Sequence, residues 1–285
     1  MIRVREVGRL HPAFRDDIGD LVTRRPVPGP GIDHLDPFLF LNHHGPQVYP
    51  PNNRGLPFGP HPHRGFETVT FILQGELSHL DSGGHESVIH AGGVQWMTAG
   101  RGLVHAELSP QGFKRAGGPL EILQLWVNLP ARLKMTKPAY VGLESSDMPV
   151  VELPGGAGTL QLVSRSWGEA EGPVRPLADI RLMLVRLSPG GALEIPVAAG
   201  RTVFLYTVTG AAEVGGTAVP EHHLAELDRD GDTVAIASPG GATILFGDGA
   251  PFAEPIVAHG PFVMNSREEI QQAVIDYQAG RFGAL

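Results

Sequence analysis

Short apolar stretches, each closed by glycine or proline, run through the whole chain, and this punctuation limits the possible folds more than any other feature. Glycine and proline contribute 38 and 26 of the 285 residues, yet they form no low-complexity block. AGG, AGRG, AGGP, PGG and GDG instead separate runs too short for helices. Runs bounded this way are strands, because glycine and proline supply turn geometries and break a helical period. In ETVTFIL (67–73), Val69, Phe71 and Leu73 share one parity and Thr68 and Thr70 the other, as along a strand. Residues 87–90, 94–98, 103–108 and 120–127 are further candidates. After a polar, irregular stretch at 131–160, the rhythm resumes at 180–187, 202–209, 233–237 and 243–246. The expected class is all-β, with two tandem jelly-roll barrels divided as 1–135 and 136–285. One helix is expected near 266–279, in NSREEIQQAVIDYQAGRFG. Ser266 caps it, Glu269 completes a capping box, and Gly280 stops it. Ile270, Ala273, Val274 and Tyr277 fall at helical spacing, the mark of a packing arm.

Composition narrows the function classes. Hydrophobic residues make up 42%, enough for a sizeable core. The net charge of −8 and the absence of a Lys/Arg run disfavour direct nucleic-acid binding. With no cysteine there are no disulfides, thiolate zinc sites or cysteine nucleophiles. MIRVREVGRL has no apolar core of a signal peptide, and no apolar run is long enough to span a bilayer. The expectation is a cytoplasmic protein without a membrane partner.

The 13 histidines are numerous for this length. Two stand one residue apart in HPHRGFETVTFILQGEL (61–77). Residues two apart in a strand share a face, so His61 and His63 point together into one barrel. GRGLVHAEL repeats the spacing with His105 and Glu107. On neighbouring strands these pairs bring three imidazoles and one carboxylate to one point. Such a set suits one divalent transition metal (iron, manganese, nickel, copper, cobalt or zinc), with positions left for water, O2 or a substrate oxygen. Closed around zinc as a tetrahedron, it would be structural instead. Glu67 shares strand parity with His63, so it is a fifth candidate or a replacement for Glu107; its bland role is an ion pair with Arg64 or Arg101. His43 and His44 are candidate substrate-binding residues. His222 and His223 lie in a turn-rich segment expected at the surface. Trp96, Met97 and Trp126 fit core packing.

Residues 55–75 approximate the first cupin motif, with Gly55, His61, His63 and Glu67 in frame and Gly75 one place late. Residues 93–107 approximate the second, with Gly100 where proline is usual. HPHRGFET, QWMTAGRGLVHAE and EPIVAHGPFVMNSREEIQQAVIDYQAGRFG resemble the pirin family of bicupins, from residue 36 to the C-terminus. The resemblance implies two cupin barrels, with metal in the first alone, held by His61, His63, His105 and Glu107. It places Glu67 outside the ligand set and implies Fe(II) and a monomer. No H-x-H follows residue 130, which agrees with a metal-free second barrel. LNHHGP (41–46) departs from the family, where many pirins carry an acidic and an aromatic residue; His43 or His44 there would alter substrate fit or accept a proton. The resemblance further implies a quercetin (flavonol) 2,3-dioxygenase of the quercetinase type, acting on a small aromatic substrate and O2. A bound cation raises the acidity of the substrate hydroxyl, and Glu107 would take the proton as general base. The same resemblance also implies an alternative, a redox-sensing regulatory protein. It would bind a transcription factor or metabolic enzyme through a surface that follows the metal's oxidation state.

Overall fold

The structure, a computed structural model, describes residues 3–285. Strands dominate, and the α-helices are Gln111–Ala116 and Arg267–Gln278. Contacts group the chain into two units. One takes the N-terminal segment to Phe14, Arg25–Pro37 and Asp147–Pro251; the other takes Arg15–Arg24, Phe38–Ser146 and Phe252–Leu285. The single cut expected between residues 135 and 136 does not describe this division, because the chain ends are exchanged. Strand Val7–Pro12 pairs with His223–Leu227 of the later unit. The C-terminal helix buries Ile270 and Ala273 with Val104, Phe262, Met264 and Phe282 of the earlier one. An edge strand's unpaired amides and an amphipathic helix's apolar face are satisfied wherever a matching surface lies, without regard to sequence order.

In the unit containing residues 38–146, one sheet runs in the order Ala139–Leu143, Val94–Thr98, Phe66–Gln74, Gly118–Asn128, Phe38–Tyr49. A four-stranded sheet, Phe58–His63, Leu103–Leu108, Glu76–Asp81, Glu86–His90, faces it. Hydrogen bonds from Thr70, Gln95 and Gln124 of the first sheet to Glu107 of the second show which faces look inward. The stretch expected to be irregular contains the strand Ala139–Leu143, paired with Val94–Thr98. The C-terminal helix starts as expected, with Ser266 and Glu269 forming a capping box, and Gly280 follows its end at φ +73°.

The other unit has a seven-stranded sheet that runs from Val7–Pro12 through His223–Leu227, Thr202–Gly210, Ala242–Gly249, Ile180–Leu187 and Gly158–Leu162 to Val150–Glu152. A four-stranded sheet, Gly191–Pro196, Thr233–Ser238, Ala212–Val214, Thr217–Val219, accompanies it. Leu162, Met183, Val185, Ile195, Leu205, Val234 and Phe246 fill its core. The buried Asp248 accepts from Arg181 Nε at 2.5 Å and from Arg201 Nε. Among the described residues no helix is long and apolar enough to cross a membrane.

Candidate metal centre

Strand register assembles the site. His105 lies directly opposite His61 and Leu103 opposite His63, so the three imidazoles come from two paired strands. Ring centroids are 4.3 Å apart for His61–His105, 4.8 Å for His61–His63 and 4.9 Å for His63–His105. One nitrogen from each ring falls within 4.8 Å of the others. His105 and His63 are buried, while His61 is half-buried and opens the cluster outward.

The protonation states suit a cation. Burial, with the neighbouring His61 charge, pushes the His63 imidazole down to about 3, against the pull of the Pro261 carbonyl. Burial, then His63, His61 and His79, hold His105 well below the usual histidine range. Neutral imidazoles carry lone pairs, the form that ligates metal. His61 Nδ1 lies 2.7 Å from the Gly59 carbonyl and His63 Nδ1 lies 3.3 Å from that of Pro261. A carbonyl only accepts, so each Nδ1 carries the proton and each Nε2 is left bare. Both ring nitrogens of His105 are buried without a hydrogen-bond partner. A buried imidazole without partners carries a desolvation cost that a metal bond at the cluster would remove. The donor set therefore fits a transition metal.

Glu107 shares the His105 face, but its carboxylate is not within the 4.8 Å group. A register shift after His105 sets Glu107 opposite Phe58 rather than Gly59. Its Oε1 accepts from Thr70 Oγ1 at 3.0 Å and from Gln95 Nε2, and its Oε2 accepts from Gln124 Nε2 at 2.5 Å. Gln95, Thr70, Gln124 and Asn42 are direct neighbours in one row across the facing sheet. Three polar side chains of that row satisfy a buried carboxyl group whose burial without partners would be costly.

Glu67 lies on the opposite face of its strand from Thr68 and Thr70, away from this row. Burial pushes its carboxyl up to about 7, and the Thr98 hydroxyl, donating at 2.6 Å, pulls the other way. Arg64, one of the two partners considered for it, binds Asp276 instead at 2.8 Å. His43 and His44 are not part of the imidazole cluster. His43 Nε2 meets Glu121 at 3.0 Å, and His44 Nδ1 meets Thr23 at 2.9 Å. Trp126 is more than core packing, because its ring stands edge-on to His63 at 5.3 Å and stacks on Phe40 at 4.6 Å.

Sequence reasoning missed His79, Tyr140, Thr70, Gln95 and Gln124. His79 Nε2 meets Asp81 at 3.1 Å, its ring stacks on Tyr140 at 4.0 Å, and it lies 5.5 Å from His105. Tyr140 also donates to Gln95 Oε1 at 3.2 Å. The one signal available was the Thr68/Thr70 parity, a polar stripe inside a strand with no exposed face.

A family model described as "Pirin" matches residues 20–127, and one described as "Pirin C-terminal cupin domain" matches residues 182–283. A Pseudomonas aeruginosa protein with the provisional name quercetin 2,3-dioxygenase is 42% identical over 249 residues, 87% of each chain. Pirin of Homo sapiens is 37% identical, covering 92% of this chain and 88% of its own. The crystal structure of a quercetin 2,3-dioxygenase from Acinetobacter baumannii superposes with a TM-score of 0.93 at 32% identity, over 99% of both chains.

Proposed function

The chain belongs to the pirin family, and on that premise we propose that it is a flavonol 2,3-dioxygenase acting on quercetin-like substrates at a metal held by His61, His63, His105 and Glu107. The carrying observation is the cluster of three imidazoles around the partnerless, buried His105 ring. The similarity to proteins named for quercetin 2,3-dioxygenation supports the substrate class. Iron(II) is the metal we propose, in a cytoplasmic monomer. The metal would supply Lewis acidity toward the substrate 3-hydroxyl and a redox partner for O2.

The protein's own groups do the rest. His61, half-buried, is the imidazole of the three that reaches solvent. Trp126, stacked on Phe40 and tilted against Phe66, offers a rigid aromatic wall beside His63 for a flat substrate. Glu107 takes the 3-hydroxyl proton, and the amides of Gln95 and Gln124 keep its carboxylate oriented. Both atoms of O2 then enter the ring-opened product, and C3 leaves with its own oxygen as carbon monoxide.

The test is metal analysis of untagged protein with quercetin consumption in air, beside His105→Ala and Glu107→Ala. Stoichiometric redox-active metal, with turnover lost in both variants, is expected. Bound metal without turnover would sink the dioxygenase proposal and favour metal-dependent partner binding. No metal after loading would sink the site itself.

A further inference from the structure

We propose that Asp276 of the C-terminal helix is a positioning residue for the His63 imidazole, acting through Arg64 and the Pro261 carbonyl. This rests on the proposal that His61, His63 and His105 hold a metal. Two motifs far apart in the sequence, HPHRGFET and EPIVAHGPFVMNSREEIQQAVIDYQ, meet at this point.

Arg64 follows the proposed ligand His63, so its side chain leaves the opposite face of the chain. Its guanidinium is held on three sides. Nε donates to the Arg101 carbonyl at 2.6 Å, Nη1 pairs with Asp276 Oδ2 at 2.8 Å, and the Phe282 ring lies 4.6 Å below. Asp276 is itself fixed by Gln272 at 2.8 Å and Arg281 at 2.5 Å.

The backbone beside this pair is fastened too. The Arg64 amide donates to the Pro261 carbonyl at 3.3 Å, and the Val263 amide donates to the Arg64 carbonyl at 3.0 Å. The buried Lys134 ammonium donates to the carbonyls of Gly65 at 2.8 Å and Val263 at 2.9 Å. The result is to present the Pro261 carbonyl to His63 Nδ1. That contact selects the tautomer with a bare Nε2, the nitrogen left free for a metal. Outer groups of this kind orient metal-binding histidines, and losing one typically weakens binding about 10- to 100-fold. Pro261 contributes a backbone atom, so the side chains that fix its place are the Arg64–Asp276 pair and Lys134. Linkage makes the effect reciprocal, so metal at His63 should tighten docking of residues 257–282.

The experiment measures Ni(II) affinity of metal-stripped protein by chelator competition at a temperature where every variant is folded. The variants are Asp276→Asn, Asp276→Glu, Arg64→Met and the Arg64→Met/Asp276→Asn double. Ile270→Val, in the same helix, controls for simple destabilisation. Hydrogen exchange of residues 257–282 is followed with and without Ni(II). Expected are an affinity loss of about tenfold in Asp276→Asn, partial recovery in Asp276→Glu, and no further loss in the double variant beyond the weaker single. Metal-induced protection of 257–282 should disappear in Asp276→Asn, while Ile270→Val keeps wild-type affinity. Wild-type affinity in both Asp276→Asn and Arg64→Met, or an equal loss in Ile270→Val, would overturn the proposal. Failure of the wild type to bind Ni(II), or binding that His63→Ala leaves unchanged, would overturn the metal assignment beneath it.

Discussion

Gly65→Ala is a sharp test of how closely the C-terminal segment approaches the His63 turn. Gly65 has φ +90°, and a Cβ there would stand 2.0 Å from the Val263 carbonyl oxygen and 2.9 Å from Met264 Sδ. The oxygen belongs to the backbone, so it cannot turn aside as a flexible side chain would. It must retreat by more than an ångström to reach ordinary contact. An alanine at positive φ costs about 1–2 kcal/mol. Retreat of Val263 also breaks the hydrogen bond from the Val263 amide to the Arg64 carbonyl and the Lys134–Val263 contact, at about 1 kcal/mol each. The sum is about 3–4 kcal/mol, or a melting temperature lower by about 10 °C for a unit of this size. Gly112→Ala is the matched control. Gly112 lies in the helix Gln111–Ala116 with nothing within 4 Å of a Cβ, so alanine should stabilise by about 0.5–1 kcal/mol. Thermal unfolding by circular dichroism measures both. Should Gly65→Ala cost less than about 1 kcal/mol, the segment is not held against the turn and the close approach is wrong.

Three other outcomes are expected. Burial pushes the Asp81 carboxyl up, but hydrogen bonds from His79, the His85 amide and the His85 ring outweigh it and hold it at about 2. Its folded value lies below the unfolded one, so its contribution of about 2 kcal/mol is present above about pH 4 and lost as pH falls toward 2. Urea titrations of wild type and Asp81→Asn between pH 6 and 2 should converge at the acid end; parallel curves would refute this. Asp248→Asn removes the carboxylate shared by the buried Arg181 and Arg201, leaving Arg201 with Asp179 as its carboxylate partner, and a loss of about 3–5 kcal/mol in urea unfolding is expected. A loss under about 1 kcal/mol would show the cluster is solvated. Gln124→Leu removes the donor to Glu107 Oε2, lowering stability by about 1.5–3 kcal/mol and quercetin turnover with it. Unchanged turnover would separate Glu107 from the chemistry.

Local rules made much of the protein legible in the linear chain. Alternation and glycine turns marked the strands, and S-x-x-E marked the helix start, because both signals depend on neighbours a few residues away. The H-x-H and H-x-E spacings announced His61, His63 and His105 because a strand puts every second side chain on one face. Tertiary structure alone decided what lies across from that face. The row Gln95–Thr70–Gln124 comes from three strands and binds Glu107 only through sheet register. Pro261 reaches His63 across 198 residues, and Asp276 reaches Arg64 from the far end of the chain. Parity calculated through Gly65 placed Glu67 with His63, but the turn at Gly65 interrupts the strand and starts the count anew. Spacing specifies direction along one strand; pairing between strands, which depends on the whole packed chain, decides which directions converge.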